Sequence, residues 1–481
     1  MNKEIDRLLI NKNSSIKEAM KVIDRGTFGI AFVVDDQNKF LGVVTDGDIR
    51  RTILKGMNIG KKVIEITNED PIVVKGGKGE LTAEIEKRIR EKITSGGSLK
   101  IPLVNEKGMV EDIFFVYING NNILHQSKSK EKKEGFPAKE LKRSTIKKVL
   151  LTGGAGYLGS VLCRKLLDRG YRVRVLDNLT YGDEGIKDLY GNRSFEFLKG
   201  DARNISDLTE AMKGMDAVMH LAAIVGDPAS QLKPQATIEI NYLSTKAAAE
   251  TAKYNQINKF LFFSTCSVYG AGKTADERLK EDSSLNPVSL YAETKLKSEE
   301  GILNLADENF SPTIFRFATL YGVSPRVRFD LVVNTLTARA VLEKKISIFG
   351  GEQWRPNLEV SDAARACILW LEAPLEKVSG EIFNVGANEQ NCKIIEIGRM
   401  VKKIVPETAV EIKKELDDLR DYNVSFDKIL RVLGFRAKKT IEQSIGEMKK
   451  MIEIKKITNF NLPQYSNYRF LSEEGKANVF K

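Results

Sequence analysis

The chain has 481 residues, of which 42% are hydrophobic and 29% are charged, and its formal net charge is +11. This length gives room for two or three globular domains. Because the sequence has no run of 18 apolar residues and no apolar leader, we expect a cytoplasmic protein without a membrane partner. Its four scattered cysteines and two isolated histidines lack metal-ligand spacing, so we expect no bound metal.

Residues 1–120 are predicted to form a first domain, which begins with a capped amphipathic helix over 16–23. Two strands are predicted next, at 30–34 and 40–44. Thr45 and Asp48 follow at the start of a helix, where a hydroxyl and a carboxylate suit phosphate and ribose contacts. Their spacing fits a simple capping box equally well.

The stretch V-D-D-Q-N-K-F-L-G-V-V-T-D-G-D-I-R-R around Thr45 resembles a CBS domain, in particular the paired CBS modules of some sugar nucleotidyltransferases. A second copy is predicted over 71–108, but Val110–Ile113 stands where its T-x-x-D motif would be expected. The resemblance implies an α+β regulatory pair that binds one adenine nucleotide through Thr45 and Asp48.

Residues 121–145 are predicted to be a charged linker. Between Asn121 and Lys148 there are nine Lys or Arg and three Asp or Glu, which supply +6 of the net charge of +11. A mixed-charge run with little aromatic interleaving is more typical of a solvated linker than of a nucleic-acid surface. We therefore expect no nucleic-acid partner.

A strand, a glycine-rich turn and a helix open the predicted enzyme domain, residues 146–455. The apolar run Val149–Thr152 is typical of a buried strand, and glycines follow at G-x-x-G-x-x-G spacing: Gly153, Gly156 and Gly159. Such a turn lets a pyrophosphate approach the main chain at the positive end of a helix. Asp177, 18 residues beyond Gly159, ends the next strand and would repel a 2′-phosphate. We therefore expect NAD rather than NADP.

Strands and helices alternate from Ile146 onward, which predicts an α/β, Rossmann-type doubly wound parallel sheet with a smaller substrate-binding subdomain. Residues near the predicted strand ends are expected to contact the cofactor. They are Gly153, Gly156, Tyr157, Leu158, Asp177, Asn178, Asp201, Ala202, Leu221, Ala222, Ala223, Ser264, Tyr291 and Lys295.

Tyr291 and Lys295 are four residues apart in a helical stretch, so their side chains share one face. An ammonium beside a phenol lowers the pKa of the phenol, and a tyrosine tuned in this way can take a proton from a sugar hydroxyl. Thr265, at a preceding strand end, would orient the substrate oxygen toward Tyr291. The same spacing also occurs in accidental surface pairs.

The region from about Lys147 to Met451 resembles the extended short-chain dehydrogenase/reductase family of nucleotide-sugar epimerases and dehydratases. The resemblance rests on T-G-G-A-G-Y-L-G-S, L-D-N-L, G-D-A-R, H-L-A-A, S-T-C-S-V-Y-G, Y-A-E-T-K and R-F-A-T-L-Y-G. It implies NAD as cofactor, a nucleoside-diphosphate sugar as substrate, and Thr265, Tyr291 and Lys295 as catalytic residues.

The resemblance also implies substrate contacts at Thr319, Arg355 and Arg420. The segment G-E-Q-W-R-P-N-L-E-V-S-D places Arg355 on the substrate diphosphate, and Arg420 resembles a second phosphate-side arginine. Arg420 alternatively forms a surface ion pair with a neighbouring aspartate. Thr319 departs from the family, which often has Asn there. The basic segment 324–334 is expected to bind a phosphate or to form a lid over the site. Residues 456–481 are predicted to be a tail packed on the surface.

The resulting hypothesis is an NAD-dependent nucleotide-sugar epimerase, acting at C4, with an adenine-nucleotide-sensing CBS pair. We expect a homodimer or higher homo-oligomer that serves polysaccharide biosynthesis. Three alternatives stay open: a 4,6-dehydratase, a 4-ketoreductase and a non-catalytic nucleotide sensor. Epimerisation is favoured over dehydration because Cys266 and Ser267 stand where the related dehydratases carry acidic residues.

Overall fold

The computed structural model describes residues 5–26, 30–45, 48–49, 52, 60–75, 82–92, 98–119, 122–127, 146–270, 278–307, 309–414 and 420–474. The chain divides into two compact units, Met1–Arg143 and Ser144–Lys481. In the described ranges no helix has the length and apolar character needed to cross a membrane.

The first half of unit one is a three-stranded sheet, β1-β2-β3, covered by a helix. Its elements are β1 (Leu9–Asn11), α1 (Ile16–Gly26), β2 (Ile30–Val34) and β3 (Phe40–Thr45). The start of α1 follows from Ser15, whose hydroxyl accepts from the Glu18 N–H while Glu18 bonds back to the Ser15 N–H. The predicted helix and both predicted strands are confirmed.

The second half is a four-stranded sheet, β4-β5-β6-β7, with one helix. Its elements are β4 (Val74–Lys75), α2 (Ala83–Lys92), β5 (Ser98–Val104), β6 (Val110–Asn119) and β7 (Asn122–Ser127). Ile113 shares a core with Phe32 and Val43, so the two halves pack together.

Strand β7 differs from the predicted linker, which was expected to begin at residue 121. It pairs antiparallel with β6 from Asn122 to Ser127. Its short polar sequence, N-I-L-H-Q-S, gave little strand signal, and only the partner strand fixes it. Residues 128–145 of the predicted linker lie outside the described part of the chain.

Unit two contains a large parallel sheet and two small ones. Its strands are β8 (Lys148–Thr152), β9 (Arg172–Asp177), β10 (Phe195–Lys199), β11 (Ala217–His220), β12 (Lys259–Thr265), β13 (Ser311–Phe317), β14 (Thr319–Tyr321), β15 (Lys345–Phe349), β16 (Trp354–Glu359), β17 (Ile382–Val385), β18 (Asn391–Lys393) and β19 (Ala409–Lys413). Its helices are α3 (Tyr157–Asp168), α4 (Ile205–Met212), α5 (Asp227–Leu232), α6 (Pro234–Ile238), α7 (Ser244–Tyr254), α8 (Leu290–Leu303), α9 (Val332–Glu343), α10 (Val360–Glu372), α11 (Ile394–Ile404), α12 (Asp427–Leu433), α13 (Ile441–Ile454) and α14 (Asn467–Glu474).

The large sheet has the strand order β10-β9-β8-β11-β12-β13-β17, all parallel. Helices cover both faces, because Leu162 and Ala363 pack in one core cluster while Ala249 and Leu208 pack in another. The strand order reverses between β8 and β11, and ligands bind parallel sheets at the carboxyl ends of such neighbours. The predicted doubly wound α/β fold is confirmed.

A smaller subdomain surrounds strands β14-β16-β18 and β15-β19. Helices α9, α11 and α13 pack there around a core that includes Val333, Val401 and Ile445. The predicted surface tail, 456–481, is different in its described part: α14 buries Leu471 against Ile224 and Ala229. Residues 475–481 lie outside the described ranges.

Candidate active site

A cavity of about 680 Å³ opens at the carboxyl ends of β8, β9, β11 and β12. The predicted cofactor, catalytic and substrate residues of unit two all line it, including Thr319, Arg355 and Arg420. The structure therefore brings together side chains from both ends of the predicted enzyme domain. Their individual roles stay predictions.

The glycine-rich turn leaves room for a ligand at the start of α3. Gly153 has a φ of +73°, and a Cβ there would lie 2.7 Å from Ala222 Cα. At Gly156 an added Cβ would meet only the Gly153 carbonyl oxygen, at 3.3 Å, within the described residues. The first N–H groups of a helix lack intrahelical acceptors, and no described side chain caps α3. This cradle fits the pyrophosphate of a dinucleotide.

Asp177 is held at the end of β9 by two backbone N–H groups. Its carboxylate accepts from Leu179 at 2.9 Å and from Ala155 at 3.0 Å. Burial raises the pKa of Asp177, while these two hydrogen bonds and the charge of Arg326 oppose that shift. A ribose diol donating to the carboxylate would stabilise the charged form further.

Asp201 and Asn178 lie together at the same end of the cavity. Asn178 Nδ2 donates to Asp201 at 3.3 Å, and Arg203 donates to both Asp201 oxygens at 2.7 and 3.0 Å. Sequence reasoning missed Arg203. The two hydrogen bonds from Arg203 fix the orientation of the Asp201 carboxylate. Asn178 lines the cavity beside it.

Tyr291 and Lys295 lie on one buried face of α8, which Ser289 caps by accepting from the Ala292 N–H. Burial raises the pKa of Tyr291, and the charge of Asp227 raises it further. Arg328 and a hydrogen bond with Thr265 act in the opposite direction. The predicted neighbour of Tyr291, Thr265, is therefore in place.

The Lys295 ammonium has a main-chain acceptor and an aromatic neighbour. Its Nζ donates to the Phe263 carbonyl oxygen at 2.8 Å and lies 4.7 Å from the centre of the Phe262 ring. Burial lowers the pKa of Lys295 to about 7, although the charge of Glu299 opposes this shift. The i, i+4 spacing predicts the shared helix face, and the effect of the ammonium on the phenol stays a prediction.

Thr265 lies beside Ser267, and Ser267 in turn contacts Tyr422, which sequence reasoning missed. Ser267 Oγ lies 3.1 Å from Thr265 Oγ1 and 3.3 Å from the Tyr422 hydroxyl. Cys266 lies between Thr265 and Ser267 in the sequence, and its thiol donates to the Arg316 carbonyl oxygen. Burial raises the pKa of the Cys266 thiol, so it is held protonated.

The two predicted phosphate arginines are connected. Arg355 Nη1 donates to the carbonyl oxygens of Trp354 and Arg420, and its guanidinium lies 5.5 Å from the centre of the Tyr422 ring. Arg420 Nη1 lies 2.8 Å from Asp227 Oδ2. Arg420 therefore forms an ion pair with an aspartate of α5, which is distant in sequence.

In unit one, Thr45 and Asp48 form a capping box. Thr45 Oγ1 donates to Asp48 Oδ2 at 2.6 Å, and the Asp48 N–H donates back at 3.3 Å. In the second half of unit one, Val110 pairs with Val104 as Phe40 pairs with Val34 in the first half. By this register Phe115, which has no hydroxyl, stands in the place of Thr45. The second CBS copy itself stays a prediction.

Two family profiles match the chain. Residues 149–386 match the NAD dependent epimerase/dehydratase family, and residues 1–55 match the CBS domain. Over 53% of the chain and 82% of the relative, the sequence is 32% identical to an uncharacterized UDP-glucose epimerase of Bacillus subtilis. This chain belongs to the NAD dependent epimerase/dehydratase family.

Other relatives of this chain carry different activities in their names. It is 32% identical to a UDP-N-acetyl-alpha-D-glucosaminuronate decarboxylase of Bacillus cytotoxicus, over 51% of this chain and 76% of the relative. A crystal structure of UDP-glucuronic acid 4-epimerase from Bacillus cereus, with UDP-glucuronic acid and NAD, aligns with a TM-score of 0.58 and 28% identity. It covers 64% of this chain and 99% of the other.

Family and geometry together establish the general activity. The chain is an NAD-dependent enzyme of the nucleotide-sugar epimerase and dehydratase class. NAD is its cofactor, as predicted, and the cradle at Gly153 and Gly156 fits that molecule. The fusion of a CBS domain to this enzyme is confirmed as well.

Proposed function

We propose that the enzyme epimerises a nucleoside-diphosphate sugar at C4. The observation that carries the proposal is the pair of positions after Thr265. A 4,6-dehydratase needs a further acid/base pair to remove a proton from C5 and expel the C6 hydroxyl. Here Cys266 is buried, protonated and directed at a carbonyl oxygen, and the Ser267 hydroxyl has only hydroxyl hydrogen-bond partners among the described residues. Neither side chain is therefore suited to supply that pair.

The side chains of the cavity suit C4 oxidation and reduction. Tyr291 takes the proton of the C4 hydroxyl, which Thr265 orients, and returns a proton to the oxygen after the hydride has come back on the other face. NAD, when bound at the glycine-rich turn, supplies the acceptor and donor of that hydride. Arg355 and Arg420 hold the diphosphate while the hexose presents its opposite face.

A panel of UDP-, GDP-, CDP- and dTDP-sugars tests the proposal. Each is incubated with the enzyme, and the products are resolved by NMR and mass spectrometry, with Tyr291→Phe as the inactive control. We expect a product of equal mass with inverted C4 coupling constants. Loss of one water would identify a dehydratase, and loss of two hydrogens with formation of NADH would identify a ketoreductase running in reverse. No product from any sugar would identify a nucleotide sensor.

We also propose that the first CBS copy binds one adenine nucleotide per chain. Its support is the pair of Thr45 and Asp48 at a strand end, together with Phe115 at the matching place of the second copy. Calorimetry with AMP, ADP and ATP should give one site, which Asp48→Ala abolishes and Asp70→Ala, at an exposed carboxylate, leaves intact. Two equivalent sites, or none, would reject the proposal. Regulation, the oligomeric state and the cytoplasmic location stay predictions.

A further inference from the structure

The basic segment after β14 is anchored on the first turn of α3, where the glycine-rich turn ends. Ser324 Oγ donates to the Tyr157 carbonyl oxygen at 2.7 Å and lies 3.0 Å from Ser160 Oγ. Tyr157 in turn donates its hydroxyl to the Gly322 carbonyl oxygen at 2.7 Å. These bonds bring Arg326, two residues beyond Ser324, to the anion-binding end of α3.

Arg326 has an unused donor in this place. Its side chain lines the cavity and is only 6% exposed, and its Nε has no hydrogen-bond partner among the described residues. The guanidinium lies 4.2 Å from the centre of the Tyr181 ring. Tyr181 also lines the cavity, and its hydroxyl is buried without a partner in the described part of the chain. Two buried donors at one place indicate a missing acceptor.

The two arginines of this segment, Arg326 and Arg328, differ in their ion pairing. Arg328 is paired with Asp330 at 2.8 Å, whereas Arg326 forms no ion pair with any carboxylate that the structure describes. Burial and the charge of Arg328 lower the pKa of Arg326 to about 10. A buried guanidinium without an anion is costly, and a bound anion removes the cost.

We propose that Arg326 and Tyr181 bind the pyrophosphate of NAD, in addition to the glycine-rich turn. The pyrophosphate is the only anionic group of NAD. Arg326 lies at the cofactor end of the cavity, because it contacts Tyr181, which follows Asp177 by four residues. The substrate diphosphate has its own candidate arginines, Arg355 and Arg420. A planar guanidinium with a free edge suits phosphate oxygens.

The C-terminal helix α14 holds these residues in place and so retains the cofactor. Asn467 accepts from Arg326 Nη2 at 2.8 Å, and its own N–H donates to Asp330 at 2.8 Å. Phe470 packs edge-on against Tyr181, with ring centres 5.4 Å apart. An epimerase must return the hydride to the sugar it came from, so a cofactor that does not exchange between turnovers is an advantage.

The test compares NAD binding with nucleotide binding in the full-length protein. Arg326→Gln, Arg326→Lys, Tyr181→Phe and Asn467→Ala are purified, and the NAD released on denaturation is measured. NAD-stripped samples are titrated with NAD and, separately, with UDP. The control is Arg169→Ala, an exposed arginine at the opposite end of α3.

We expect NAD to bind about 10–100-fold more weakly to Arg326→Gln, the range for losing a hydrogen bond to a charged group. Asn467→Ala should release NAD faster, and UDP affinity should stay unchanged in both. Tyr181→Phe should keep the thermal stability of the NAD-stripped protein, because the hydroxyl has no described partner, yet weaken NAD binding.

NAD affinity equal to the parent in Arg326→Gln and Tyr181→Phe would overturn the proposal. Loss of UDP affinity with NAD unchanged would also overturn it and assign Arg326 to the substrate diphosphate. Neither readout requires turnover. The inference therefore goes beyond the proposed epimerisation and can fail or hold independently of it.

Discussion

Tyr291 is surrounded by groups that act on its phenol in opposite directions. Burial and the Asp227 carboxylate raise its pKa, while Arg328 and the Thr265 hydroxyl lower it. Lys295, the residue expected to tune it, donates to a main-chain carbonyl oxygen, and burial lowers the pKa of Lys295 to about 7. Further positive charge near the phenol would favour the phenolate that a general base needs.

Removing the phenolic hydroxyl tests the role of Tyr291 directly. In Tyr291→Phe we expect turnover to fall by about 10²–10⁴, as for other losses of general acid–base help. NAD content and the unfolding temperature should match the parent, since the ring still fills its buried place. Activity within a few-fold of the parent would show that another group is the base.

Asp227 gives a prediction for the pH profile. Its carboxylate raises the pKa of Tyr291, so Asp227→Asn should lower that pKa and move the acidic limb of kcat/KM to lower pH. Asparagine still accepts from the Ser289 hydroxyl, which Asp227 binds at 2.6 Å, so the cap of α8 is kept. The measurement is kcat/KM against pH, with exposed Asp282→Asn as control. A limb that stays or moves upward contradicts the assignment.

The residues of the site were predictable where chemistry depends on local spacing. The glycines, Asp177 and the Tyr291–Lys295 pair follow from adjacent sequence. The partners of Arg420 and Cys266 do not, because Asp227 and the Arg316 carbonyl oxygen come from other elements of the fold. The sequence marks Arg326 only as part of a basic segment. Its burial depends on tertiary packing and could not be predicted from neighbouring residues.

Among the elements, α8 carries the predicted catalytic residues Tyr291 and Lys295 and contains one partner of a buried ion pair. Tyr291, Lys295 and Glu299 stand at i, i+4 and i+8, so one helix face carries all three. Glu299 bonds Arg316 of β13 at 2.7 and 3.1 Å and accepts from Ser264 of β12. Glu299 thus connects α8 to β13 through the ion pair and to β12 through Ser264.

Breaking this pair should be costly. Glu299→Gln leaves the Arg316 guanidinium buried without its anion, and we expect unfolding free energy to fall by about 3–5 kcal/mol. Chemical denaturation of the NAD-stripped protein measures it, with exposed Glu300→Gln on the same helix as control. Replacing both partners, as Glu299→Leu with Arg316→Met, should recover part of the loss. Equal stability of Glu299→Gln and the parent would show that the pair does not hold α8.

Elements with strong apolar patterns were predictable, and those defined by partners were not. The strands around Val149 and Phe260 are continuous apolar runs that the large sheet buries. Strand β7 is polar and exists through pairing with β6. Helix α14 shows no clear period, and its position depends on Leu471 meeting residues of α5 and the loop before it.

At the scale of the whole chain, each unit has hydrophobic cores of its own. In Met1–Arg143, hydrophobic clusters form around Ile16, Ile72 and Phe32. In Ser144–Lys481, every predicted catalytic, NAD-binding and substrate residue lines one cavity. Units with complete cores are generally able to fold independently.

We therefore expect residues 144–481, expressed alone, to fold cooperatively, to contain NAD and to keep the turnover of the full-length enzyme measured without adenine nucleotide. Residues 1–143 alone should bind the adenine nucleotide, because Thr45 and Asp48 both lie in that unit. Any response of turnover to AMP, ADP or ATP should be present in the full chain and absent from 144–481. The measurements are thermal unfolding, NAD content, and product formation with and without nucleotide. If 144–481 were unfolded or free of NAD, the cores of unit two would be insufficient without unit one, and the division into independent units would be wrong.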